Sequence, residues 1–453
     1  MKKAWLVVVL VAVGGMASRS FADVQNIRLS GDIRLRGYLL DNTGDNGSGD
    51  QLQGSDSFIS QRTRVSVEAD LEDHVLVVVT LKAEGLWGHN DEANGNSGAG
   101  VSQSDFNINR GFDVGVNEAY VQLNELFYTP ATLKVGRQYL HYGRGLILSS
   151  AEQEYNYDAG RLVLDYYPLT IDVVGAELVN SQSFSPTPSR EGAVNLLFLN
   201  ARYEMSDSAI KAVEAYFGWV AQGSSGTTNS TRVPPSDPIN ASGASPWIVG
   251  LRSDMNLTEG LNTWIEGAYE GGSAGAAFNE GVSAFIANVG GRYTLKDVTW
   301  SPVINANYIY ASGGGTDGRS QFRPWFDYAE GYNGYLFAPA LANIHIFNLG
   351  ASVKPYENTT LSLQGYYYLK ADKDSGVGVS ASNPNADFGG LGFVPTAASR
   401  ELGWEFDAIL GYDYSKDVRA QLVYAAFIPE GAFKHGDSDS VAHELRGEIN
   451  VKF

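Results

Sequence analysis

Along much of the chain, alternate positions differ in character. From Ile27 to Leu39 the odd positions are Ile27, Leu29, Gly31, Ile33, Leu35, Gly37 and Leu39. The even positions are Arg28, Ser30, Asp32, Arg34, Arg36 and Tyr38. A strand turns successive side chains to opposite faces, so this stretch has one apolar and one charged face. Residues 58–71 repeat the pattern, with Val65, Val67, Ala69 and Leu71 against Arg62, Arg64, Glu68 and Asp70. Residues 75–87 do so again, with Val75, Val77, Val79, Leu81, Ala83 and Trp87 opposite Lys82 and Glu84. At the end of the chain, Phe453, Val451, Ile449, Gly447 and Leu445 oppose Lys452, Asn450, Glu448, Arg446 and Glu444. A strand with lipid on one side and a wet lumen on the other requires this division.

The same test places further strands near 114–126, 131–141, 158–167, 170–179, 193–204 and 210–219. Others fall near 247–255, 261–269, 284–294, 302–311, 343–354 and 360–370, and the last three near 402–412, 418–427 and 442–453. With 27–39, 58–71 and 75–87 the pattern predicts eighteen, an even number as in single-chain bacterial barrels. Links after even-numbered strands are short, as at Glu72 to His74, Pro168-Leu169 and Asp413 to Asp417. Links after odd-numbered strands are long and rich in Gly, Ser, Asn and Asp: 40–57, 88–113, 220–246, 312–342 and 371–401. Short periplasmic turns alternating with long extracellular loops predict an all-β transmembrane antiparallel β-barrel.

Composition narrows the setting. Residues 1–22 have the form of a signal peptide, with Lys2 and Lys3, an apolar run from Trp5 to Val13, and Ser20-Phe21-Ala22 before the expected cleavage. That run is shorter than the ~20 apolar residues of a spanning helix. Residues 23–453 then form one barrel domain, placed in the outer membrane of a Gram-negative-type bacterium, with outer-membrane lipid as its first partner. Mean hydropathy is only -0.17, as expected where outward and inward residues cancel. A net charge of -19 argues against nucleic acid as a partner. There is no cysteine, the histidines have no metal-ligand spacing, and no convincing Ser/His or Asp/His constellation stands out, so neither metal, cofactor nor enzyme activity is expected. Asp41 to Gly47 lacks the spacing of a calcium-binding loop, with Leu52 where the bidentate Glu would stand.

A barrel of about 16–18 strands encloses a water-filled lumen, so the expected function is passage. The inward parity carries Arg28, Arg34, Arg36, Arg62, Arg64, Arg161, Arg202, Arg252, Arg292, Arg419 and Arg446, with acids such as Asp32, Glu68, Asp70, Glu118, Asp165 and Glu405 among them. Rings of arginine select anions in pores. The other reading is a set of cross-strand ion pairs that keep a wet wall satisfied. Trp87, Trp219, Trp247, Trp264, Trp404 and Tyr412 are expected in the interfacial girdles, and inward Tyr38, Tyr120, Tyr366 and Tyr368 could stack on sugars.

Asn117-Glu118-Ala119-Tyr120-Val121-Gln122-Leu123, then Leu133-Lys134-Val135-Gly136-Arg137-Gln138 and Tyr142-Gly143, together with Gln61-Arg62-Thr63-Arg64-Val65, resemble the alginate-export outer-membrane proteins. The resemblance implies a monomeric eighteen-stranded channel whose arginine-rich constriction passes an acidic polysaccharide outward, with periplasmic export partners. Carried over by motif, its lumen residues are Arg62, Arg64, Glu118 and Arg137. Arg137 shares parity with Leu133 and Val135, so either a bulge shifts the register or Arg137 sits at the rim. Arg144 departs from the family pattern after Tyr-Gly. The alternatives are a general or small-anion-selective diffusion porin, a barrel enzyme, and an adhesin with a plugged lumen.

Overall fold

Alternation builds the sheet directly. A computed structural model describes residues 24–43, 55–71, 74–88, 111–150, 156–179, 194–222, 245–273, 281–314, 320–322, 325, 333–339, 341–374, 399–432 and 440–453. The leader 1–22 and most of the Asp41–Gly47 loop lie outside the described residues. The first strands are β1 (Val24–Asp41), β2 (Ser55–Leu71), β3 (Val75–Leu86), β4 (Gly111–Leu123), β5 (Ala131–Gln138) and β6 (Tyr157–Tyr166). Next come β7 (Leu169–Val179), β8 (Val194–Glu204), β9 (Ile210–Gln222), β10 (Ser245–Thr258), β11 (Leu261–Ser273) and β12 (Gly281–Thr294). The series ends with β13 (Val303–Ala311), β14 (Ile344–Tyr356), β15 (Thr359–Lys370), β16 (Glu401–Asp413), β17 (Val418–Pro429) and β18 (Ala442–Lys452). Among the described residues the only helix is a 3-10 turn at Leu126–Tyr128.

Each strand pairs antiparallel with its sequence neighbours, and β1 pairs with β18, so all eighteen close into a barrel. Closure removes the exposed edges that would otherwise leave backbone groups unpaired in lipid. The C-terminus completes it: Phe453 and Gly31 exchange backbone hydrogen bonds of 2.9 and 3.0 Å. The Phe453 ring lies over Gly31, where a Cβ would stand 2.6 Å from it and 2.4 Å from the Arg64 carbonyl. Glycine is required there because ring and neighbouring strand both come too close for a side chain.

The parity is the one expected. On β1, Asp32, Arg34, Arg36, Tyr38 and Leu40 are buried inward, while Ile27, Leu29 and Leu39 are exposed outward. Phe127, Tyr128, Tyr166, Tyr167, Trp300, Tyr356 and Tyr414 ring the short-turn end. Trp87, Trp219, Tyr269, Phe285, Phe347 and Trp404 ring the end bearing the long loops. These aromatic belts mark the two membrane interfaces.

The region 131–141 departs from expectation. The strand stops at Gln138, and residues 139–150 fold into the barrel. Leu140, Leu146, Ile147 and Leu148 are buried there against Phe198, Tyr216 and Ile248 from the wall. The described parts of the β13–β14 connection do the same, burying Phe322, Trp325, Leu336, Phe337 and Leu341. The apolar core of this protein is therefore inside the lumen, beneath two inward loops.

Candidate functional site

The lumen has two unlike walls. On β18, β1, β2 and β3 the inward positions carry Arg446, Arg34, Arg36, Arg62, Arg64 and Lys82, against Glu444, Glu448, Asp32 and Glu84. Register sets them in rows: Arg34 stands opposite Arg62, and Arg64 opposite Lys82. Like charges directly opposed across strands are destabilising. A carboxylate in each row relieves this repulsion, Asp32 directly opposite Arg64 and Glu84 directly opposite Arg62. Asp32 accepts from Arg62 at 3.2 Å and from Arg64 at 2.5 Å. Glu84 is shared by Arg34 at 3.4 Å and Lys82 at 3.3 Å. Arg36 pairs with Glu448 at 2.5 Å, and Arg446 with Glu444 at 3.4 Å. Basic groups still outnumber carboxylates on this wall. Arg446 also lies 4.8 Å from the Tyr335 ring centre, bringing the second inward loop against the basic wall.

The remaining sequence-predicted cations, apart from exposed Arg292, are matched by carboxylates. Arg28 is exposed at the periplasmic rim beside Glu68 and Asp70, at 3.1 and 3.7 Å. Arg161 holds Asp172 at 2.7 Å. Arg202 reaches Glu204 and Glu214 at 3.4 and 3.5 Å. Arg252 reaches Asp254 and Glu214 at 2.9 and 3.4 Å. Arg419 pairs with Asp413 at 2.8 Å. Glu118 faces the lumen just past a register shift in β4 and accepts from Thr80 at 3.3 Å. The exposed pairs of Arg28 and Arg419 add little stability, whereas Asp172 and Glu214 are buried acceptors, and together these pairs keep this part of the wall near neutral.

The wall formed by β9–β12 and β15–β16 uses its carboxylates differently. Glu214 accepts the Gly143 N–H at 3.1 Å, and Glu266 accepts the Arg144 N–H at 2.8 Å and the Tyr216 hydroxyl at 2.9 Å. Arg252 donates to the Gly143 carbonyl at 2.5 Å, and the Arg144 guanidinium lies 4.0 Å from the Trp264 ring centre. In the second loop, Glu405 accepts three consecutive backbone N–H groups, from Tyr335, Leu336 and Phe337, at 2.7, 2.8 and 2.9 Å. Trp325 donates to Glu270 at 3.0 Å, and Tyr368 to the Asn333 carbonyl at 2.7 Å. A buried carboxylate needs such donors, and backbone N–H groups of an irregular loop need such acceptors.

Both loops present a glycine to their glutamate. Gly143 has φ +61°, and a Cβ there would lie 2.3 Å from Glu266. Gly334 has φ +105°, and a Cβ would lie 2.7 Å from Glu405. Only glycine adopts these dihedrals freely while letting a carboxylate approach. Two groups of the first loop titrate away from their ordinary values. Burial pushes the Tyr142 phenol up. Burial and then the Arg252 charge hold the His141 imidazole down, Glu214 opposing and Arg144 adding to the effect.

Two expectations are corrected. Arg137 does not face the lumen: neither β4–β5 nor β5–β6 shows a register shift, so it keeps the outward parity of Val135, near the extracellular rim. There it holds Asp158 bidentately at 2.7 and 2.8 Å. Trp264 is not a girdle residue: it shares the inward parity of Glu266 and donates to Asn288 at 2.7 Å, under the loop tip. Of the inward tyrosines, Tyr38, Tyr366 and Tyr368 are buried, and Tyr120 lies under Lys134, 3.5 Å from its ring centre. Arg144, Glu214, Glu266 and Glu405 carry the loop contacts, and only Glu405 was among the inward acids read from sequence.

Solved barrels share this architecture. OccAB1 of Acinetobacter baumannii is 12% identical with a TM-score of 0.58, covering 97% of this chain and 99% of its own. A BenF-like porin from Pseudomonas fluorescens Pf-5 is 10% identical with a TM-score of 0.57, covering 95% and 99%. Pseudomonas aeruginosa OccK2 (OpdF), solved in complex with glucuronate, is 8% identical with a TM-score of 0.54, covering 95% and 97%. At these identities the likeness concerns the fold. No curated protein sequence matches the chain. The alginate export family matches over residues 28–448, nearly the whole sequence; the chain belongs to that family and is a porin-like barrel of the Gram-negative outer membrane.

Proposed function

We propose that the chain passes an acidic polysaccharide or oligosaccharide along the β18–β1–β2–β3 wall. The observation that carries this reading is the pair of like-charged oppositions, Arg34 with Arg62 and Arg64 with Lys82. Ion pairing alone would set only opposite charges across strands, as it does for Arg36 with Glu448, Arg64 with Asp32 and Arg62 with Glu84. Opposed cations shared among fewer carboxylates leave positive potential for a cargo carboxylate, which arginine meets with a planar pair of donors. Membership of the family favours outward passage, and the glucuronate complex of OccK2 supports a uronate as the chemical class. The channel acts as a monomer, its export directed by residues 1–22 and its cargo supplied by a periplasmic partner. Edman sequencing of the mature protein should begin at Asp23.

The second reading is a diffusion porin for small anions, favoured by the two loops that occupy the lumen. Planar-bilayer reversal potentials test the shared claim: the wild type should prefer anions, and an Arg34/Arg62/Arg64 triple alanine variant should lose that preference. Cation selectivity in the wild type would end both readings. Vesicle swelling with mono-, di- and longer oligouronates separates them, since a conduit for polymer admits the longer species and a small-anion porin does not.

A further inference from the structure

The lipid-facing side of β5–β8 carries a feature that passage through the lumen does not use. Four outward residues stand abreast near the extracellular ends of these strands: Arg137, Asp158, Glu177 and Asn195. One row nearer the membrane middle stand Val135, Gly160, Gly175, Leu197 and Trp219. The two rows border a shallow groove of about 600 Å3, open to the outside of the barrel. Ligand pockets fall in this range of size.

The glycines make the hollow. Gly160 and Gly175 are direct cross-strand partners, and a Cβ at either would meet nothing within 4 Å. Neither has the left-handed backbone that would demand glycine. A strand glycine without a steric reason weakens the strand, and often marks where another molecule comes close. Lipid chains elsewhere on the barrel are as apolar as this floor, so burial alone would not hold one of them here. Shape and polar contacts must do so.

We propose that the groove binds one outer-leaflet glycolipid, an acylated and phosphorylated amino sugar. An acyl chain lies along Gly160 and Gly175 against Leu197 and Trp219. The sugar's hydroxyl and amide groups meet Glu177 and Asn195. Arg137 is tied to Asp158 through Nε and Nη2 and gives one further bond to the Val116 carbonyl at 3.3 Å. It retains N–H groups for a phosphate oxygen. Glu177 has no ion-pair partner among the described residues, so this row favours a donor-rich head over a bare anion. Trp219 is held in place by donating to Ser245 at 2.8 Å.

The test uses the full chain in mild detergent, incubated with equal amounts of lipid A, phosphatidylethanolamine and phosphatidylglycerol, and read by native mass spectrometry. The wild type should retain one lipid A at activation energies that strip the other two. A Gly160→Leu/Gly175→Leu variant, which fills the floor, and a Glu177→Ala/Asn195→Ala variant should each retain at least fivefold less. Gly447→Leu, at an outward glycine on β18 with equal space around it, should retain as much as the wild type. Folding of each variant is checked by its heat-modifiable mobility and by unchanged conductance. Equal retention of all three lipids, unaltered retention in the filled groove, or a protein dimer that the filled groove abolishes would each overturn the assignment.

Discussion

The basic wall and the loop-bearing wall contain similar residue types in opposite employment. On β18, β1, β2 and β3, carboxylates serve arginines: Asp32 bridges Arg62 and Arg64, and Glu84 bridges Arg34 and Lys82. On β9–β12 and β16, carboxylates serve backbone: Glu214, Glu266 and Glu405 accept the N–H groups of two inward loops. A charge count over the whole lumen therefore misleads, because the glutamates that lower it are already committed to holding loops. What a solute meets depends on which wall it follows.

Breaking the second wall should give the largest structural effects. Glu405→Ala leaves three buried N–H groups without an acceptor. The docked loop should lose about 3–5 kcal/mol at 1–3 kcal/mol per orphaned group, discounted for relaxation. Hydrogen exchange at Tyr335, Leu336 and Phe337 should rise by orders of magnitude while the strands stay protected; unchanged protection there would refute the anchoring role. Glu266→Ala removes the acceptor of the Arg144 N–H and the Tyr216 hydroxyl, for about 2–3 kcal/mol by the same reasoning. Limited proteolysis near Gly143 in vesicles should report it. Gly334→Ala forces φ +105° on an alanine and should cost the second loop about 1–3 kcal/mol. Its melting transition should precede that of the barrel.

The basic wall should behave in the reverse sense. Arg62→Ala leaves Asp32 with Arg64, so unfolding in urea should shift by only about 1 kcal/mol, well below the loss of a sole partner. The anion preference should nevertheless fall. A large stability loss with unchanged selectivity would make this wall structural.

The smallest effect is one of pH. The docked loop holds His141 neutral, by burial first and then by Arg252, so its folded value lies below the ordinary one. The undocked loop then binds the proton more tightly. Docking is fully stabilised above about pH 6.5 and weakens as pH falls below it. Much of the ring is open to the lumen, which keeps the effect small. Conductance fluctuations of the 139–150 loop should increase on acidification, and His141→Gln should flatten that dependence.

Most of the barrel was legible because lipid on one side and water on the other write a period of two into each strand. Ile27 to Leu39 and Leu445 to Phe453 show it plainly, and all eighteen strands occur within a few residues of where alternation places them, with β5 ending early at Gln138. The inward loops were not legible from alternation. The signal present was composition: Leu140 with Leu146-Ile147-Leu148, and Tyr335-Leu336-Phe337, are too apolar for loops in water. Arg137 followed its own parity rather than the family motif. Trp264 was assigned by residue type, although its parity with Glu266 already turned it inward. The partners of each arginine could not be read at all, because cross-strand neighbours are set by register between strands far apart in sequence, as Arg36 with Glu448.

The most direct test of the central claim is single-channel current block by a defined oligouronate, compared with a neutral oligosaccharide of equal length. The account predicts that the oligouronate interrupts wild-type current with measurable residence time, that the neutral sugar does not, and that the Arg34/Arg62/Arg64 triple alanine variant loses the block. Equal block by the two sugars, or block that survives in the variant, would contradict it.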